Sequence, residues 1–228
     1  MNLNKTMNST ALLAGMALMG AHLAFADVTV VYKINSANGN GTQTIRYADK
    51  QHVRIDMTDA TNKKMSMLKL GNKVYSITGK VVQDMSQLAK MMASMGMGKK
   101  GGTKAQAPIK YEDTGRTETI SGLRGKVYRF VEKGKSHEIV LGQNKDLQDA
   151  VLGVMEITKA ATGMMPFDST SRIQKDVSIK SMALLRLDDR VQLQSMNTRA
   201  VPAATFELPS KPQSMGGMDG LMNGAFGK

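Results

Sequence analysis

Gly41-Thr42-Gln43-Thr44-Ile45-Arg46-Tyr47-Ala48-Asp49-Lys50-Gln51-His52-Val53-Arg54-Ile55-Asp56-Met57 opens a run, continuing to Val82, whose reading decides the fold. Gln43, Ile45 and Tyr47 alternate with Thr42, Thr44 and Arg46; after Asp49-Lys50, Val53, Ile55 and Met57 alternate with His52, Arg54 and Asp56. Alternation with a period of two, punctuated by Asp, Asn and Gly, marks half-buried antiparallel strands. A polar cluster from Asp59 to Lys64 follows, then Met65–Leu70, Gly71-Asn72, Lys73–Thr78, Gly79-Lys80 and Val81-Val82. The Gly-Asn and Gly-Lys pairs suit two-residue hairpin turns, because glycine reaches positive φ without a Cβ clash. Such a sheet must cover its apolar face with another layer.

Working outward, Val28, Val30, Tyr32 and Ile34 make an earlier strand, and Ser36–Gly41 is a Gly/Asn-rich loop. Asp84, with Gln87 three residues on, has the pattern of a capping box. Met85, Leu88, Met91, Met92 and Met95 then fall at helical spacing, and Gly96 ends that helix. Residues 98–108, rich in Gly, Lys and Ala, are expected to form a mobile loop. A second strand set comprises Ile109–Ile120, then Lys126–Glu132 and Ser136–Leu141 as a hairpin around Lys133-Gly134. Asn144 or Asp146 can cap a second helix, with Leu147, Val151, Val154, Thr158 and Ala161 on one face and Pro166 at its end. Val177–Leu187 and Arg190–Thr198 pair around Asp188-Asp189, Thr205–Pro209 closes the fold, and the Met/Gly-rich residues 212–228 form a flexible tail. The expected fold is α+β: a curled antiparallel sheet of about ten strands, an open half-barrel covered by two helices, as one domain over residues 27–211.

Before that domain, Lys5 precedes an apolar run from Ala11 to Phe25, and Ala24-Phe25-Ala26 presents small residues where a signal peptidase reads. Residues 1–26 are therefore predicted to be a signal peptide cleaved after Ala26. The run is short for a span, which needs ~20 apolar residues. An uncleaved anchor is the alternative, and the absence of cysteine removes lipid attachment through a thioether. The expected location is the periplasm, where ATP and nicotinamide cofactors are not expected.

The segments Arg46–Met57, Thr114-Gly115-Arg116-Thr117-Glu118-Thr119-Ile120-Ser121-Gly122, Val127-Tyr128 and Phe206-Glu207-Leu208-Pro209 resemble an exported bacterial domain family. Its layout is similar to the periplasmic lipoprotein carriers LolA and LolB. The resemblance runs from Val28 to Pro209 and implies an open half-barrel with a helical lid that shelters acyl chains. It carries no ligand-contact residue onto this chain.

Composition narrows the chemistry. The 228-residue chain has a formal charge of +12, no cysteine, no tryptophan and 4% aromatic residues. A basic surface attracts anionic membrane headgroups or acidic proteins, whereas scarce aromatics argue against base stacking and hence against nucleic acid. Gly96-Met97-Gly98-Lys99-Lys100-Gly101 matches a dinucleotide string but follows a predicted helix and precedes a loop, the wrong context. Ala93 stands where a P-loop needs its first glycine. Ser136-His137-Glu138 holds three triad residue types, yet neighbours on a strand point to opposite faces. His52 and His137 are not accompanied by a carboxylate cluster or an H-E-x-x-H pattern. No catalytic residue and no cofactor is therefore assigned, and an enzyme is not expected.

Methionine is the compositional outlier, 20 in all. Met91, Met92, Met95 and Met97 cluster, as do Met215, Met218 and Met222. Thioethers are soft ligands suited to Cu(I), and equally are adaptable packing groups. Three functions follow from different classes. The first is a periplasmic protein that shelters an apolar or lipid-like ligand. The second is a Cu(I)-binding protein using Met91, Met92, Met95 and Met97. The third is an interaction protein docking on an envelope partner.

Overall fold

The computed structural model describes residues 28–36, 39–86, 109–160, 173 and 182–213. Eleven strands form one sheet: β1 (Val28–Ser36), β2 (Gly39–Asp49), β3 (His52–Thr58), β4 (Lys64–Leu70), β5 (Lys73–Thr78), β6 (Val81–Asp84), β7 (Glu112–Ile120), β8 (Leu123–Glu132), β9 (Lys135–Gly142), β10 (Ala183–Leu187) and β11 (Val191–Asn197). One helix, α1 (Lys145–Ala160), separates β9 from β10, and a short 3₁₀ turn, Ala203–Phe206, follows β11.

The strand order is β6-β5-β4-β3-β2-β1-β11-β10-β9-β8-β7. Each half is a meander of neighbouring antiparallel strands, and the halves meet where β1 pairs with β11, Thr29 opposite Asn197 and Ile34 opposite Val191. The first strand is thus central, and β6 and β7 are the two edges, so the sheet is open. The β7 edge carries Glu112, Asp113, Arg116 and Glu118, and Gly115 at φ +73° interrupts its register with β8. Charge and irregularity on an edge oppose unwanted strand addition.

Several boundaries differ from expectation. The strand count itself agrees: among the described residues there are eleven strands, against about ten expected. Within the expected Ser36–Gly41 loop, Ser36 ends β1 opposite Gly39, and residues 39–41 already belong to β2. Gly41 lies in β2, where a Cβ would come within 2.4 Å of the Thr58 carbonyl. The β2–β3 turn falls at Lys50-Gln51, one residue later than Asp49-Lys50. Asp49 fixes it by accepting the backbone N–H groups of Gln51 and His52 at 2.6 and 2.9 Å. The long Ile109–Ile120 strand begins only at Glu112, and β8 starts at Leu123 directly after a tight turn.

Among the described residues one α-helix covers the sheet, not two. Asp84 ends β6 and its Oδ1 accepts the Ser86 N–H at 3.0 Å, as a capping residue does. Met85 and Ser86 are helical, and the remainder of that expected helix, with the 98–108 loop, lies outside the described residues. So do the predicted signal peptide and residues 214–228 of the tail. Helix α1 forms where expected as far as Ala160, with Ala161 and Pro166 outside the described residues; Asn144 Oδ1 accepts the Leu147 N–H at 2.9 Å and caps its first turn.

The first face of the sheet is buried along both meanders, the second only over the strands of the first meander. On the first face Val28, Val30, Tyr32, Ile45, Val53, Ile55, Met67 and Val74 join residues of β8–β11 and of α1 in one core. On the second face Ala48, Leu68, Tyr75, Ile77 and Val82 form a smaller cluster with Val201 and Phe206. Each well-buried aliphatic side chain contributes roughly 1.5–3 kcal/mol, so the first face dominates stability.

Candidate functional site

The broadest apolar surface that one element covers is the first face beneath α1. The helix meets it through Leu147, Ala150, Val151, Val154 and Ile157, all buried. Their spacing of three and four residues makes one stripe. Gly153 faces the sheet, where a Cβ would lie 2.7 Å from Tyr47 Cδ2 and 3.0 Å from Val53 Cγ1. The missing side chain is what lets the helix come down onto β2 and β3. Beneath it, the Tyr32 hydroxyl donates to the Leu184 carbonyl at 2.8 Å, tying β1 to β10 across the core. Burial pushes the Tyr32 phenol well above its ordinary value, so it stays neutral and donating. The Tyr47 phenol is also raised, by burial first and then by the charges of Asp149 and Asp49. These contacts are mostly non-directional, and a surface of this kind holds any apolar group of fitting shape.

The second face is covered by the segment 198–213, a strap that crosses β3–β6. Phe206 and Val201 cover Leu68, Tyr75 and Ile77, and the Phe206 ring meets His52 edge-on at 6.1 Å. Directional bonds tie the strap down. Arg54 Nη1 donates to the Thr205 carbonyl at 3.1 Å, Ser210 Oγ to the Lys80 carbonyl at 2.7 Å, and the Gln213 N–H to the Val82 carbonyl at 2.8 Å. Arg54 is itself held by Asp56, Nε to Oδ1 at 2.8 Å, and Asp56 also accepts from Ser66 at 2.5 Å and pairs with Arg46.

A third cluster joins the strands of the second meander. Glu138 accepts from Arg186 at 2.6 Å and from Arg116, while Arg186 also donates to Glu118 at 2.9 Å. The Arg186 hydrogen bond, reinforced by Arg116, holds the Glu138 carboxyl below its ordinary value despite some burial. His137 Nδ1 lies 2.8 Å from Asp188 Oδ2, Arg190 donates to the same oxygen at 3.0 Å, and the Glu138 N–H donates to Asp188 Oδ1. Burial alone would raise the Asp188 carboxyl, but the Glu138 N–H, His137 and Arg190 outweigh it and hold it down. This network braces Asp188, whose φ is +44°, at the β10–β11 turn.

Ser136, His137 and Glu138 do not converge. Ser136 is exposed opposite Val131, His137 stacks at 5.2 Å from Phe130 and turns to Asp188, and Glu138 serves the arginines. Sequence reading missed Asp188 as the partner of His137, because a separation of 51 residues leaves no spacing signal. It also missed Arg54 and Asp56 as the anchor of the strap. Met91, Met92, Met95 and Met97 lie outside the described residues. Among the described residues no group of three or more His, Asp or Glu side chains could hold a metal ion, and no helix is long and apolar enough to cross a membrane.

An open antiparallel sheet with one face under a helix is the class of structure these elements define. No protein-family model matches the chain, and no curated protein does. Among solved structures, a LolA superfamily protein from Nitrosomonas europaea is similar, at 12% identity and a TM-score of 0.18, over 52% of this chain. The match spans 57% of that protein's chain.

Proposed function

We propose that this chain is an exported, periplasmic binding protein that shelters an apolar or lipid-like ligand between α1 and the first face of the sheet, with no catalytic step. The observation that carries this reading is the join beneath α1. A continuous apolar sheet face is covered by α1 through Leu147, Ala150, Val151, Val154 and Ile157, with Met85, Ile109 and Ile173 buried in the same core. Contacts of that kind can be exchanged for those of an acyl chain without leaving a polar group unpaired. The ligand takes the place of the apolar stripe of α1 as the helix lifts. The formal charge of +12 favours ligands with anionic headgroups and approach to anionic membrane surfaces. The predicted signal peptide at residues 1–26 and the resemblance to lipoprotein carriers support the location and the ligand class.

The test is uptake of a fluorescent long-chain fatty acid by the purified protein lacking residues 1–26. Saturable uptake with a blue shift of the probe, weakened by Val154→Asp on α1, is the expected result. Absence of uptake by the folded protein across fatty acids and phospholipids overturns the proposal.

A further inference from the structure

The strap borders a half-open cavity of about 450 Å³ on the second face, which plays no part in the function proposed above. Its volume falls among those of small-ligand pockets, roughly 300–1,000 Å³. One wall is apolar, formed by Ile77, Leu208 and Pro209. The other is polar and carries Arg54, Lys64 and Ser66. Three groups already engage Arg54: the Asp56 carboxylate, the Thr205 carbonyl and Ser66 Oγ. A guanidinium has five N–H groups in a planar fork, so donors remain for a further acceptor. Asp56 is shared between Arg46 and Arg54, which leaves the network with more positive than negative charge. Among the described residues Lys64 has no carboxylate within ion-pair distance. Glu207 also lines the cavity; it and Lys64 are both exposed and screened by water, so the half-buried Arg54 is the principal charge facing the cavity.

From this we infer a second binding site, between the strap and strands β3–β5, for a small amphipathic carboxylate: a carboxyl head on Arg54 and Lys64 and a short apolar chain along Ile77, Leu208 and Pro209. A planar carboxylate matches the fork of Arg54, and Lys64 adds charge without constraining geometry. The site lies on the face of the sheet opposite α1, so its occupant is distinct from a ligand held beneath the helix.

Amide chemical shifts of the mature protein, titrated with sodium octanoate and in parallel with octylamine, test the site. Saturable octanoate shifts at Ser66, Ile77, Gly79 and residues 204–208 are expected, with no matching response to octylamine. Lys64→Glu, at an exposed position, is expected to weaken octanoate binding roughly tenfold, about the worth of one charge-assisted contact, with an unchanged thermal midpoint. Shifts confined to α1 and the first face, equal binding of octylamine, or no saturable response each overturn the inference.

Discussion

Helix α1 and the strap cover opposite faces of the same sheet and do so by different chemistry. The helix rests on its face through a stripe of aliphatic side chains and a glycine that lets it approach. The strap buries fewer apolar residues but is fastened by Arg54 to Thr205, Ser210 to Lys80 and Gln213 to Val82. Apolar contacts are large in sum yet indifferent to small displacements, whereas hydrogen bonds set position. The helix is therefore the cover that buries the larger apolar surface, and in the function proposed above it is the one that gives way to a ligand. The strap is the cover that stays.

The largest effect that would break this contrast is expected at the helix. Leu147 is fully buried, and Leu147→Ala should cost roughly 2–5 kcal/mol, from lost transfer energy plus the cavity left behind. Chemical denaturation measures it, and a loss below about 1 kcal/mol would mean that α1 contributes little to the core. Gly153→Val comes next. Its side chain would run into Tyr47 and Val53, forcing the helix up at a cost of about 1–3 kcal/mol. Dye binding to exposed apolar surface should rise, while protease sensitivity at residues 203–213 stays unchanged.

Asp56→Asn reverses that pattern. It leaves Arg46 and Arg54 without their shared carboxylate, in a site where the Asp56 side chain is 28% exposed, and should cost roughly 1–2 kcal/mol. Cleavage within the strap should accelerate with no gain in dye binding beneath α1. Equal sensitivity of both covers would merge them into one cooperative unit.

The smallest expected effect concerns acid. Glu138 and Asp188 are both held below their ordinary carboxyl values, so their stabilisation is present above the ordinary carboxylate range and is lost as pH falls through the depressed values. Glu138→Gln should therefore flatten the fall in thermal midpoint below about pH 4.5, while altering it little near neutrality by comparison with Leu147→Ala. An acid limb unchanged in this variant would place the titrating groups elsewhere.

Much of the first face was legible in the sequence, because Val28, Val30 and Tyr32, then Ile45 and Tyr47, then Val53 and Ile55 alternate cleanly and point one way. The spacing of Leu147, Val151 and Val154 likewise located α1. The second face was harder to see. In β4, Ser66, Met67 and Leu68 are buried in succession, which signals burial on both sides, but nothing in that run says what covers the second side. The strap comes from more than a hundred residues away, its 3₁₀ turn is too short for periodicity, and its fastening uses backbone carbonyls that every residue possesses. Pairs such as His137 with Asp188 and Arg54 with Thr205 are products of strand order, and no local spacing encodes them.

The central claim, that α1 yields its place to an apolar ligand while the strap does not, is tested most directly by photo-crosslinking. A long-chain fatty acid with a diazirine near its methyl end would be bound to the protein lacking residues 1–26, irradiated, and the labelled peptides sequenced. Labels on α1 and on first-face residues such as Val53 and Ile55 are expected, with the strap unlabelled. Labelling confined to residues 203–209, or none in a protein shown to be folded, would contradict the account.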